Sequence, residues 1–477
     1  VILPEVPDEA LLDLARTGAD PGTLALLLRD QDTRRLLLLR AVLEAVEGAG
    51  PEVCSARQKA RVREDWALLT EADRAAPVAV AGGATALPPA RARLMYPLTG
   101  AWGWRCLRGL TGPATAQRGR LLRDDLVHLG ALAAVAAARA GVSFSVRLTA
   151  HDGVLALPSL GALRTAEGGA ADVEVRGEAG TLTVRQRQAA DVTVHLEDGF
   201  GAWSGALAWT PAHALPGLLP GTPPVPLDDL DPYRAIRAPR SGSLGGPTTL
   251  DDAGRKQWAQ AWSGTAAALR TGGEHRLTEA LALLRCLVPL ESPPGASGAG
   301  RGGCSATRRE AFGALMTSVP PDPVSFAATL VHELHHAKLS ALGDMVTLHQ
   351  ASDEARYFAP WRPDPRPFDG LLQGAYSHLA IADYYQRRAL VEPAHRESAW
   401  AQHARCRAQV GAVLPALVGS PDLTRHGRLF VDGMAAAYER MEEHPVPRGH
   451  RVRAQAYVGA ARTLWTQRHA PALSRPE

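Results

Sequence analysis

The chain has 477 residues, 46% of them hydrophobic and 21% charged, enough to bury a sizeable core spread over two or three domains. Its 52 basic and 49 acidic residues leave a net charge of +3, so charge gives no support to a nucleic-acid or membrane-surface role. Cys54, Cys106, Cys286, Cys304 and Cys406 are scattered with no C-x-x-C pair, which argues against a disulfide framework or a cysteine zinc site and fits a reducing cytoplasm.

Residues 1–140 read as an N-terminal helical region, with apolar residues at helical spacing in 9–15, 23–28 and 34–46. The apolar, Ala-rich stretch 129–144 is interrupted by Arg139 and reads as a buried helix; no secretory signal or membrane span is visible. Between 141 and 210 the period changes. Segments 172–176, 180–185 and 191–196 alternate apolar and polar residues, the mark of a small antiparallel sheet. Residues 211–250 are dense in Pro and Gly and form a connection or boundary. Helices resume at 251–269 and 275–287, a Gly/Ser-rich flexible loop follows at 292–303, and 310–318 reads as a short strand. Helical pattern then dominates 368–468. The expected fold is mainly α with a small antiparallel β region (α+β), its catalytic part in 251–477.

The chemistry is concentrated in an H-E-x-x-H motif at His332, Glu333 and His336. On a helix, residues four apart share a face, so the two imidazoles can serve one metal ion with Glu333 beside them. The helix is well signalled: Asp322 is a natural N-cap, Pro323 suits the first position, and Phe326, Leu330 and Leu334 form a buried stripe. His335 points off the ligand face and reads as structural. Two histidines need a third partner. The metzincin pattern is excluded because Leu339 and Leu342 stand where its Gly and His belong. A gluzincin would bring a Glu from a following helix, and the next helix, 368–388, has none. It carries His378, the leading third ligand, with Asp383 as second choice and Gln373 on another turn; His349 lies in a loop. Between the two helices the proline-stiffened segment 357–368 holds Arg362 and Arg366, suited to clamping a carboxylate unless both pair with Asp364 or Asp369. A strand leading into an H-E-x-x-H helix is also the zincin arrangement, whose strand edge can pair with an extended peptide.

LVHELHHAKL at 330–339, YFAPWRPDPRP at 357–367 and GLLQGAYSHL at 370–379 resemble the HExxH-motif proteins of bacterial ribosomal-peptide gene clusters. Weaker likeness extends to LPEVP at 3–7, TRRLLLLR at 33–40 and SATRREAFG at 305–313. The resemblance implies a 2-oxoglutarate-dependent peptide β-hydroxylase whose His332 and His336 bind Fe(II), and it favours His378 as their partner. It implies a precursor peptide as substrate and other peptide-maturation enzymes as partners. There is no H-x-D/E motif and no double-stranded β-helix signature, so such chemistry would stand on a helical, zincin-like site. In that scheme Glu333 orients a ligand or substrate, and Arg362 or Arg366 takes the distal carboxylate of 2-oxoglutarate. Two other functions use the same residues. A zinc metallopeptidase trimming a leader peptide would make Glu333 its general base. A non-catalytic peptide-binding subunit would need none of the motif for output.

Overall fold

A computed structural model describes residues 5–75, 87–113, 115–187, 189–234, 246–292 and 303–469. The N-terminal region is helical throughout: α1 (Asp8–Ala15), α2 (Pro21–Gly48), α3 (Ala56–Ala75), α4 (Pro89–Leu94), α5 (Pro97–Thr111) and α6 (Ala116–Arg139). The two apolar runs expected at 23–28 and 34–46 belong to one continuous helix of 28 residues, capped by the Asp20 carboxylate on the Thr23 amide. The Ala-rich segment is the buried C-terminal half of α6. Among the described residues no helix is long and apolar enough to cross a membrane.

Eight strands follow: β1 (Phe144–Ala150), β2 (Val154–Leu157), β3 (Gly161–Arg164), β4 (Ala171–Glu178), β5 (Thr181–Arg185), β6 (Val192–Leu196), β7 (Ala202–Trp203) and β8 (Trp209–Pro211). They form two antiparallel sheets, in the orders β1-β4-β5-β6-β7 and β2-β3-β8. The three alternating segments seen in the sequence are β4, β5 and β6, whose inward residues Val173, Val175, Leu182, Val184 and Val194 share a core with Ala134 and Val135 of α6.

The Pro/Gly-rich stretch after residue 211 is ordered structure up to 234: it supplies β9 (His213–Leu215) and β10 (Val225–Leu227), while 235–245 lie outside the described residues. Next come α7 (Asp252–Trp262), α8 (Thr265–Thr271), α9 (Glu274–Leu283), β11 (Cys286–Pro289), β12 (Ser305–Thr307) and β13 (Ala314–Thr317). The single helix expected at 251–269 is broken at Gly264, whose φ of +93° suits glycine. Likewise the apolar run 275–287 is a helix that stops at Leu283 and hands over to β11. Most of the Gly/Ser-rich loop, 293–302, lies outside the described residues. The strand expected at 310–318 begins only at Ala314, after a 3-10 turn over Arg309–Ala311 and Gly313 at φ +92°.

These strands make a third sheet, β12-β13-β11-β10-β9, that the sequence did not suggest. It is mixed rather than antiparallel: β10, β11 and β13 run parallel, and β12 and β9 run antiparallel at its edges. Alternation along its strands feeds two cores. Leu287 and Leu315 face one built from α1, the first half of α2 and the C-terminal helices. Cys286, Val288, Ala314 and Met316 face the other, with the second half of α2 and α3–α6. Packing therefore runs across the 140 and 250 junctions. The helices that complete the fold are α10 (Pro323–Met345), α11 (Phe368–Val391), α12 (Arg396–Val418), α13 (Arg425–Arg440) and α14 (Arg448–His469). The fold is thus mainly helical with small sheets, α+β in class.

Candidate metal centre

α10 carries the motif, and its start follows the sequence signal: Asp322 Oδ1 accepts from the amides of Val324 and Ser325 at 2.9 Å, with Pro323 in the first turn. Phe326, Leu330 and Leu334 are buried against the sheet and α8 side of the core. This anchoring leaves His332 and His336 on a half-open face, where their Nε2 atoms stand 3.2 Å apart. Two nitrogens each about 2.1 Å from one ion are separated by about 3.0–3.4 Å, so the pair has ligand spacing.

Each ring is oriented from behind. His336 Nδ1–H donates to Gln373 Oε1 at 3.1 Å, leaving its Nε2 lone pair free. On α11, His378 Nδ1–H donates to the Gly374 carbonyl at 2.8 Å, which frees its Nε2 in the same way. The His332 ring centroid lies 4.7 Å from that of His336 and 5.4 Å from that of His378, both near-perpendicular. Imidazoles sharing one ion have centroids about 4.5–5.3 Å apart, so His378 stands just outside that range from His332. As the side chains stand, no group of three His, Cys, Asp or Glu among the described residues converges to hold an ion. The donor chemistry suits a metal: three neighbouring imidazoles, two with their second nitrogen already committed, and a buried His332 Nδ1 with no partner.

Burial favours the neutral form of His332 and His378. It drives His332 well below the usual imidazole range, helped by His336 and His378, and pushes His378 down to about 4 against the pull of the Gly374 carbonyl. Glu333 is 2% exposed. Burial raises its carboxyl above the usual range, opposed by His336 and by hydrogen bonds from Ser305 and Thr307. Ser305 Oγ–H donates to Glu333 Oε1 at 2.7 Å, while Oε2 has no partner and Oε1 lies 3.9 Å from His332 Nε2.

The remaining candidates are placed elsewhere. Asp383 is bound to Arg276 and Arg387, and His349 packs edge-on against Phe368 with Asp369 beside it. His335 is fully buried and structural: its Nδ1–H donates to the Val331 carbonyl at 2.6 Å and its Nε2 accepts from Arg276. In the proline-stiffened segment both guanidiniums face Asp364, Arg362 at 3.1 Å and Arg366 at 3.6 Å. The internal clamp weighed from sequence is therefore present, and neither arginine is shown reaching the histidines.

Four contributing side chains were missed. Trp361 stacks on His378 with centroids 4.5 Å apart and planes 20° off parallel. That stack needs Gly374, because a Cβ there would meet the indole at 2.4 Å. Ser305 and Thr307 were legible in principle: in a strand, residues two apart share a face, so both hydroxyls reach one carboxyl. Arg405 on α12 is exposed, lies over the Tyr457 ring at 5.1 Å, and is near enough to His378 to depress its protonation. Nothing local in the sequence marks it. No family model matches the chain, and no curated protein matches it significantly.

Proposed function

We propose that the chain is an iron- and 2-oxoglutarate-dependent oxygenase that hydroxylates a side-chain β-carbon of a ribosomally made peptide. The observation that carries the metal part is the Nε2 pair of His332 and His336, 3.2 Å apart and backed by Gln373. The resemblance of the 305–379 motifs to the HExxH peptide-modification proteins carries the rest. His332, His336 and, by closing on them, His378 would hold Fe(II). Bound there, the metal would couple the oxidative decarboxylation of 2-oxoglutarate to succinate and CO2 with insertion of the other oxygen atom of O2 into a C–H bond.

The chain's own residues prepare the place. Burial favours neutral His332 and His378, which present lone pairs without having to lose a proton. Trp361 and Gly374 fix the His378 ring. Glu333 is held by Ser305 and Thr307 and turned into a positioned, water-poor carboxyl, which suits orientation of ligand or substrate better than activation of bulk-like water. Arg405 offers a guanidinium without an acidic partner among the described residues, whereas Arg362 and Arg366 would have to leave Asp364 to bind an acid. On this reading the chain works on a precursor peptide alongside other maturation enzymes, in the reducing cytoplasm that its scattered cysteines suit.

One observation favours a second reading, a zinc metallopeptidase with a zincin-like site. Glu333 Oε2 is unpartnered on a carboxyl whose Oε1 lies 3.9 Å from His332 Nε2, as a general base would need, and β12 ends the third sheet next to α10, where an extended peptide could add as a strand. Anaerobic loading of the apoprotein with Fe(II) and 2-oxoglutarate separates the two. A visible charge-transfer band that is lost in His336→Ala supports the oxygenase. Tight stoichiometric zinc with no such band supports the peptidase.

A further inference from the structure

Away from the histidines, a cleft of about 270 Å³ opens between the end of α1, the second half of α11 and the end of α13. Its walls carry Arg16, Thr17, Asp383, Arg387, Arg440 and Glu443 among others. The helices that frame it meet closely: a Cβ on Gly433 of α13 would lie 2.6 Å from Ala15 Cβ, so Gly433 lets α1 come near enough for Arg16 and Arg440 to share one opening.

The charges in this cleft are not balanced in pairs. Asp383 on the floor is already served twice, by the buried Arg276 at 2.9 Å and by Arg387 at 3.1 Å. Arg16 and Arg440 have no acidic or hydrogen-bonding side-chain partner among the described residues. The one other carboxylate of the lining, Glu443, is exposed. A metal cation would meet three guanidiniums, Arg16, Arg387 and Arg440, around a single uncommitted carboxylate, so the cleft repels cations. A neutral ligand would leave both forks unused.

We propose that this cleft binds a small phosphorylated molecule, with Arg16 and Arg440 gripping its phosphoryl group. A phosphoryl group carries about −1.5 to −2 charge at neutral pH and three acceptor oxygens, matching two unpaired guanidinium forks. The cleft's volume lies just under the about 300–1,000 Å³ of ordinary small-molecule pockets, which suits a compact ligand and not a polymer. Asp383 sets the orientation, since its fixed negative charge at the floor keeps the phosphoryl group at the mouth. The remainder of the ligand would lie against Leu390, Ala437 and Met441.

The test uses the full chain and inorganic phosphate or pyrophosphate as probe, followed by thermal melting and calorimetry, with sodium chloride at matched ionic strength as comparison. Saturable binding is expected, and each of Arg16→Ala and Arg440→Ala should weaken it about tenfold, the factor implied by losing a hydrogen bond to a charged group. Glu443→Gln, at an exposed position, should tighten it, which keeps a readout if an arginine variant fails to fold. Arg63→Ala, on a distant surface, should leave it unchanged. No saturable binding, an equal response to chloride, or undiminished binding in the two arginine variants would overturn the proposal.

Discussion

Two sides of one helix, α10, are built to opposite rules. On one, His335 and Lys338 are fully buried and fully engaged. Arg276 donates to His335 and to the Thr17 hydroxyl and pairs with Asp383, and Lys338 Nζ donates to Glu279 Oε1 at 2.8 Å. On the other, His332 and His336 face each other nitrogen to nitrogen, and His332 Nδ1 and Glu333 Oε2 have no partner at all. The same residue types are present on both sides. What differs is pairing: on the closed side every charge has an opposite charge against it, with Arg276 Nε alone of the named atoms left over, whereas the open side leaves its imidazole and carboxyl atoms for something else to complete. The energetic consequence is that substitutions on the closed side should act on stability, and those on the open side on ligand binding.

The largest effect is expected from Arg276→Ala, which removes the fully buried guanidinium that Glu279 shares with Lys338 and Asp383 shares with Arg387, and takes the donor from His335. Breaking such a buried set costs about 3–5 kcal/mol, read as a fall in the urea midpoint. A cost under about 1 kcal/mol would mean that the closed side is not a structural network.

Acid should come next, and it touches both sides. Burial lowers His332 and His335 well below the usual range, His378 and His403 to about 4, and His128 and His275 to about 3. The unfolded chain then binds more protons than the folded one below the ordinary imidazole value of 6.5. Stability present above that pH is therefore lost as pH falls towards 4. Buried Asp231, raised to about 7, and Asp65, raised to about 6, work the other way and reduce the net loss. At least one net proton should be taken up on unfolding at pH 5.5, a slope of about 1.4 kcal/mol per pH unit. Urea titrations between pH 7 and 5 that show flat or rising stability would contradict this account of the histidines.

Gly374→Ala sharpens the open side. The new methyl must displace Trp361, at about 1–3 kcal/mol for an overpacked contact, and should release the His378 ring. Quenching of tryptophan fluorescence on metal addition should change with it; unchanged quenching would mean the stack does not position His378.

His336→Ala is expected to have the smallest effect on the apoprotein, within about 1 kcal/mol, because the half-exposed ring has one hydrogen bond to lose. Its loss should instead abolish high-affinity divalent metal binding by calorimetry. Equal metal binding in this variant would remove the case for a metal centre.

The pairing of His332 with His336 was legible because helical periodicity is a local property, and Asp322, Pro323 and the apolar stripe announce the helix directly. The antiparallel strands at 172–196 were legible for the same reason. The third sheet was not. Its strands are three or four residues long, drawn from 213 to 317, and parallel pairing joins segments whose spacing leaves no periodic mark. The fate of Arg362 and Arg366 could be stated from sequence only as a choice between an outside carboxylate and an internal clamp on Asp364 or Asp369; the structure has Asp364.

The sequence by itself determined the motif helix, its cap, its buried stripe and the candidacy of His378, all within reach of local spacing and residue chemistry. Only the tertiary structure decided which imidazole nitrogens are free, that Ser305 and Thr307 hold Glu333, that Asp383 serves Arg276, and that Arg405 stands near His378. Each of these depends on segments distant in the chain meeting at a few ångströms. Such meetings follow from how the cores close around α10 and the third sheet, and from no short stretch of residues.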